Sequence, residues 1–434
     1  MSFDWLHVTL SDIAEINPRR PIAKATNAPF IDMAAISTHA RDVERLVPFK
    51  EYKGSGSKFW NGDTLVARIT PCLENGKTAL VRCLPANTIG HGSTEFIVLG
   101  PRKESDSSFV YYLARSPAFR NYAISRMEGT SGRQRVPNSA VANYSFFCPP
   151  PEERANIGNL LSSLDDRITL LRETNKTLES IAQAIFKSWF IDFDPVRAKM
   201  EGHQPEGMDE DTAALFPDSF EESELGLVPR GWQIRTFLET VDVIGGGTPK
   251  TSNSDYWNGG IPWFSVVDAP ELSDVWVVRT EKKISEKGLN ESSTKLLPVG
   301  TTIISARGTV GKLALTGREM AMNQSCYGLR GKYDDVFFTY FSTKRLVDSL
   351  RQHSHGSVFD TITKDTLSRV KVVLPAIACL EKFEQVVDLV MKQMLAQSER
   401  GYCISQIRDT LLPRLISGQL RLPEAQEKIE AALL

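Results

Sequence analysis

The sequence predicts an α+β protein built twice over. Two mixed, β-rich domains are separated by two long helices that pair as an antiparallel coiled coil, the halves related by a pseudo-two-fold internal duplication. Three observations predict this. The first is self-similarity at half the length of the 434-residue chain. Pro149 opens a helical stretch through Ile157, Leu161, Leu178, Ile181 and Ile185. Pro375 opens another through Phe383, Val387, Ile404, Ile407 and Leu411, each 226 residues beyond its counterpart. Trp5 and Trp232 begin two similar segments, Gly76-Lys77-Thr78-Ala79-Leu80 is echoed by Gly311-Lys312-Leu313-Ala314-Leu315, and Gly129-Thr130 by Gly356-Ser357. A duplication of this length implies two like modules, which suits a target with two halves.

The second observation is a heptad seam. Apolar positions step by four and three from Ile157 through Leu161, Leu164, Ile168 and Leu171 to Asn175, then on through Leu178, Ala182, Ile185 and Trp189. Asn175 falls at a seam position, where a buried Asn fixes register and partner. In the second copy Gln397, Gly401 and Arg408 interrupt the seam, and Pro413 is expected to end or kink the helix. Too weak to pair with itself, the second helix is expected to pair with the first. A helix from about Glu152 to Phe190 spans on the order of 55–60 Å, a spacer. Phe186, Trp189 and Phe190 close it with either a plug for the domain junction or a docking surface for a partner.

The third observation is the texture of the rest. Residues 1–148 hold short strand-like runs, Asp63–Ala67 and Glu95–Leu99, divided by Gly, Pro and Asn, with a helical patch from Phe109 to Asn121. Residues 229–374 repeat the plan with a strand at Thr301–Ser305 and a helix from Phe337 to Leu350. The expected domains are therefore 1–148, a helical spacer at 149–200, an acidic linker at 201–228, a second domain at 229–374, and a second spacer with tail at 375–434.

At 41% hydrophobic and 24% charged the composition is that of a soluble protein. No run of 18 apolar residues and no signal peptide is present, so a cytoplasmic protein without a membrane span is expected. Six cysteines form no C-x-x-C pair, which fits free thiols and no metal site. The net charge of −2 hides an asymmetry. Segment 201–229 carries nine acids and no Lys or Arg; without it, 51 basic residues stand against 44 acidic. A mildly positive body is compatible with DNA.

Catalytic signatures are missing. Glu74-Asn75-Gly76-Lys77-Thr78 has the tail of a phosphate-binding loop, but Pro71 stands where its first glycine belongs and supplies no N–H. There is no G-x-S-x-G, H-E-x-x-H or G-x-G-x-x-G after a strand, hence no catalytic residue and no cofactor is expected. Asp192 and Asp194, the acids closest to an apolar stretch, fit the exit of the first helix better than a nuclease site.

Several strings carry a resemblance. Ile185-Phe186-Lys187-Ser188-Trp189-Phe190-Ile191-Asp192-Phe193-Asp194-Pro195-Val196 closes the first helix. Leu215-Phe216-Pro217-Asp218-Ser219-Phe220 and Ser223-Glu224-Leu225-Gly226 lead to Pro229-Arg230-Gly231-Trp232. Then come Gly246-Gly247-Thr248-Pro249, Ala306-Arg307-Gly308-Thr309-Val310-Gly311 and Leu411-Leu412-Pro413-Arg414-Leu415-Ile416-Ser417-Gly418. In this order they resemble the specificity subunit of type I restriction-modification systems over essentially the whole chain. The resemblance implies two target-recognition domains, each reading one half of a split double-stranded DNA sequence. It implies an antiparallel coiled coil that spaces them and docks two methyltransferase subunits and a restriction/translocase subunit. Those partners carry S-adenosylmethionine, ATP and the chemistry; this subunit carries none. The first domain departs from the pattern, with Asn17-Pro18-Arg19-Arg20-Pro21 and Ala67-Arg68-Ile69-Thr70-Pro71 in place of the glycine loops.

Base reading calls for Arg toward guanine and for Asn or Gln toward adenine, with other groups on phosphate. In the second domain the candidates are Arg307 for bases, Thr309, Lys312 and Lys250 for phosphates, and Asn323 and Gln324 for adenine. In the first, Arg68 and Lys77 are the positional matches, and Arg133 and Arg135 sit in an expected exposed loop. For each basic residue the plain alternative is a solvated charge; for Asn323 and Gln324 it is a turn. The rival to a DNA-reading subunit is a coiled-coil adaptor without DNA specificity.

Overall fold

A computed structural model of the chain describes residues 5–43, 47–130, 132–270, 274–353 and 361–433. The echoed pair Gly356-Ser357 lies outside them. The chain divides into two compact units, Met1–Thr169 with Tyr402–Leu434, and Leu170–Gly401.

In the first unit the central sheet has four strands, Ala14–Ile16 (β1), Thr64–Ala67 (β2), Thr78–Leu80 (β3) and Phe96–Pro101 (β4), in the order β1-β4-β2-β3. Every residue of β2 and β3 is buried. Covered on both faces, these strands read as continuous apolar and threonine runs rather than alternating ones. Leu65, Ala79, Phe96 and Val98 share one core with Ile31 and Phe59 from a second four-stranded sheet.

The second unit repeats the sheet strand for strand: Val241–Gly245 (β5), Thr302–Ser305 (β6), Leu313–Thr316 (β7) and Cys326–Gly331 (β8), in the order β5-β8-β6-β7. Even the register is copied. Thr64 faces Leu80 and Val66 faces Thr78; Thr302 faces Leu315 and Ile304 faces Leu313. Thr64 faces Leu99 and Ala67 faces Phe96; Thr302 faces Leu329 and Ser305 faces Cys326. A parallel fifth strand, Trp276–Val277, covers the β7 edge. A single parallel bridge from Asp42 to Leu80 marks the same place in the first unit. The entry to each half is duplicated too, with a Thr9–Asp12 capping box matched by Thr236–Glu239.

The helical patches differ for a local reason. In the second unit Val336–His353 is one helix. In the first, Ser107–Arg115 stops at Ser116 and a new helix, Pro117–Ser125, begins. Pro117 offers no N–H and forces Ser116 into an extended conformation, ψ 143°, where its hydroxyl caps Phe119 N–H.

The long helices are Pro151–Phe190 (α1) and Ile377–Ile416 (α2), each 40 residues. Within each unit their segments run antiparallel. In the first, Glu153 meets Arg421 just beyond α2, and Asp165 meets Arg408. In the second, Asn175 meets Met394 and Ser398, and Phe186 meets Phe383. The seam of α2 does not lapse at its polar positions. Gln397 and Arg408 are buried in it, and Leu171 lies against Gly401. Nor does α2 end at Pro413: it runs on to Ile416, and beyond the proline the helical bonding resumes, with Ser417 N–H reaching the Pro413 carbonyl.

The acidic segment is folded rather than a bare connector. It contains the helix Glu210–Ala214 and the hairpin Phe220–Ser223/Gly226–Pro229. Phe216 packs edge-on against Trp189, at 5.3 Å between ring centroids, inside the core of the second unit.

Candidate nucleic-acid interface

Alternating strand direction decides where the candidate residues go. In the first unit β1 and β2 end, and β3 and β4 begin, at the same edge of the sheet. That edge carries Asn17–Arg20, the loop from Arg68 to Lys77, and Ser93–Glu95. The segment 133–136 crosses it: Ile69 bridges Arg135, Thr70 N–H donates to the Gln134 carbonyl at 3.1 Å, and Val136 N–H to the Arg68 carbonyl at 2.9 Å. Arg68, Arg133 and Arg135 are thus brought together from positions far apart in sequence.

Their states differ. Arg133 is exposed. Arg135 grips Glu95 through Nε and Nη2, the shortest contact 2.7 Å. Its guanidinium holds the Glu95 carboxyl below the usual range and is itself stabilised in the charged form. Arg68 is half-buried and its Nε–H has no acceptor among the described residues. Lys77 is spoken for: its ammonium donates to the Met33 carbonyl at 2.8 Å. The Gly76 before it adopts φ +75° and the Gly311 before Lys312 φ +80°, a left-handed turn that explains why Gly-Lys recurs.

The second unit places its candidates at the equivalent sheet edge, where β5 and β6 end and β7 and β8 begin. Three loops meet there. Gly247 N–H donates to the Met322 carbonyl at 2.9 Å, and the Thr248 hydroxyl to Gln324 Oε1. Ala306 and Arg307 N–H both reach the Ser325 carbonyl, at 2.7 and 3.2 Å, and Arg307 bridges Thr361. A Cβ on Gly246 would run into the Asn323 carbonyl, and one on Gly247 into Thr294, so only glycine lets these loops close. Behind them Trp263, itself buried against Trp257, donates Nε1–H to the Gly247 carbonyl at 3.0 Å.

Lys250, Arg307, Thr309, Lys312 and Gln324 are exposed at this edge. Asn323 is half-buried, and its Oδ1 accepts from Ser325 N–H at 3.0 Å, so its acceptor is used in a turn. Sequence reading passed over Thr248, Trp263, Arg19, Arg20 and Lys58. Arg19-Arg20 could have been found: two arginines stand where the other half has Gly-Gly.

The seam residues lie in the helices as follows. Ile157, Leu161, Leu164, Ile168, Ile404 and Leu411 are buried in the first unit, Leu171, Asn175 and Val387 in the second, with Leu178 and Ile185 half-buried. Asn175 is 1% exposed and donates to the Met394 carbonyl at 3.2 Å and Ser398 Oγ at 3.0 Å. Phe186, Trp189 and Phe190 sit inside the second unit's aromatic core with Phe338, Phe341, Phe383 and Trp232. They therefore pack into the second unit's own core.

Two copies of one sheet, each gathering basic and amide side chains on loops at a single edge, define a protein that reads a two-part polyanionic target. The family comparison agrees. Residues 3–180 and 229–388 match the type I restriction modification DNA specificity domain, and the chain belongs to that family, carrying two such domains. It is similar to the HindI specificity subunit of Haemophilus influenzae, at 27% identity over 96% of this chain and 100% of that one. It is also similar to the EcoEI specificity subunit of Escherichia coli, at 34% identity over 37% of this chain and 27% of that one. A solved type I restriction-modification S subunit from M. genitalium shares the fold, with a TM-score of 0.52 at 15% identity over 95% of this chain and 96% of that one. Among the described residues no helix is long and apolar enough to cross a membrane.

Proposed function

We propose that this chain is the address-carrying component of a cytoplasmic type I restriction-modification complex. Each unit reads one half of a split double-stranded DNA target through the loops at its sheet edge. Two methyltransferase subunits and a restriction/translocase subunit dock on the chain and bring S-adenosylmethionine, ATP and the chemistry, including extrusion of a target adenine from the stack. The carrying observation is that a register-for-register copied sheet supports different loop chemistry at the same edge in its two copies. A conserved scaffold with altered loops is what reading two different half-sites requires.

In this reading Arg307 addresses a base edge, and Lys250, Thr309 and Lys312 address phosphates. Arg133 does the same in the first unit, with Arg135 available after exchanging Glu95 for a phosphate. The paired helices set the spacing between half-sites. The test is co-expression with the neighbouring methyltransferase gene, purification of the complex, and mapping of N6-methyladenine on host DNA. The expected result is a complex with two methyltransferase copies that marks one split motif. A stable lone chain that leaves no mark would return the weight to a protein-binding adaptor.

A further inference from the structure

The sheet edge of the first unit contains a cleft of about 430 Å³ that has no match in the loop chemistry of the second. Arg19, Arg20, Lys58 and Arg68 line it, with Asn17 and Thr94 among the neutral groups, and no carboxylate does. Arg20 is built in: its guanidinium stacks on Trp60, 3.5 Å from the ring centroid, and Nη2 donates to Asp63 at 2.9 Å. Asp63 is fully buried and also accepts from Trp60 N–H at 3.0 Å, so ring and carboxylate orient Arg20 together. Yet the Nε–H of Arg20 and the Nε–H of Arg68 are both buried without an acceptor among the described residues. Those two donors are closed to solvent, so what the cleft presents to an entering ligand is its cationic lining without a carboxylate, which suits an anion.

The charge balance agrees. Asp63 offsets Arg20 and Glu95 offsets Arg135, which leaves Arg19, Lys58 and Arg68 as the surplus around the opening. In the other half the matching loop is Gly246-Gly247-Thr248-Pro249, with no cation before Lys250.

We infer that this cleft takes the sugar-phosphate backbone of the DNA, with phosphate oxygens facing the cationic side chains of Arg19, Lys58 and Arg68. The inference rests on the DNA-reading role proposed above and deepens it. This grip adds affinity to the first unit without sequence information, beside the contacts that read its half-site.

The experiment compares the full-length chain with the double variant Arg19→Gln/Lys58→Gln, measuring affinity for labelled duplexes of several unrelated sequences from about 50 to 200 mM salt. Lys428→Gln, at an exposed position of the C-terminal helix, controls for lost charge. The slope of log affinity against log salt should fall by about one for each phosphate contact removed, hence by about two, equally for every sequence. The control should leave it unchanged. A slope that does not move, or a loss confined to particular sequences, overturns the inference while the DNA-reading role stands. A second arm titrates adenosine 5′-monophosphate by calorimetry. Saturable binding that the double variant abolishes, with the DNA slope unmoved, would make the cleft a free-nucleotide site and overturn the inference as well. Wild-type chain that binds no duplex at any salt overturns both readings.

Discussion

Lys77 and Lys312 stand at the same place in the two halves, each after a left-handed glycine, but they act differently. Lys312 is exposed, whereas Lys77 spends its ammonium on the Met33 carbonyl. Lys77→Met should therefore cost about 1–2 kcal/mol of stability through the lost half-buried hydrogen bond and leave the salt dependence of DNA binding unchanged. Thermal melting beside a salt titration checks both. Arg307→Ala should instead leave melting unaffected and relax preference at one base pair, by about 1–3 kcal/mol. Competition between duplexes altered one base at a time, on the complex, reads it out. Glu384 gives a pH signature. Burial pushes its carboxyl up to about 7 against an ordinary 4.5, although Phe337 and Phe338 N–H both donate to it. Folding raises this pKa, so the folded chain keeps a proton that the unfolded chain releases. The contribution is complete below about 4.5 and is lost as pH rises through about 7. Glu384→Gln keeps an oxygen for the two N–H donors, and should flatten the fall in melting temperature across that window relative to wild type.

At the scale of the element, the two halves of the helix pair are alike in spacing and unlike in chemistry. Asp165 and Arg408, each 4% exposed at the side chain, pair in the first unit, with Tyr112 O–H donating to the same carboxylate at 2.5 Å. The duplication places Met391 and Ala182 at the matching positions of the second unit, and both are fully buried there. The same geometry is thus served once by a charge pair and once by an apolar one. Arg408→Ala alone strands a buried carboxylate and should cost about 3–5 kcal/mol. Adding Asp165→Met recreates the apolar pair and should recover most of that loss, short of the stranded Tyr112 hydroxyl. A double variant no more stable than the single would mean that the pair itself, rather than its completeness, holds the helices. The charge pair distinguishes α1 from α2: in an α1–α1 pairing Asp165 would meet Ala182 and find no cation.

For the whole molecule, what was legible in the sequence is what repeats. The offset of 226 residues gave both halves, and the four-three steps gave helices that the structure runs over Pro151–Phe190 and Ile377–Ile416. What was not legible depends on partners distant in sequence. Nothing local says that Lys77 finds Met33, that Asn323 is used in its own turn, that Phe216 draws the acidic segment into a core, or that Arg408 has Asp165 waiting across the seam. Arg408 reads as an interruption only because its partner, Asp165, lies more than two hundred residues away. Those pairs also fix how to test the spacer. Asp165 opposes Arg408, and Asn175 opposes Ser398. Removing seven residues from each helix, 168–174 and 399–405, takes out facing segments, preserves both polar pairs and keeps the heptad phase. Seven residues of helix rise about 10 Å, close to three base pairs of duplex. The preferred gap between half-sites, read from methylation maps of the complex, should shorten by about that amount. An unchanged gap in a folded, methylating complex would show that something other than the helix pair measures the target.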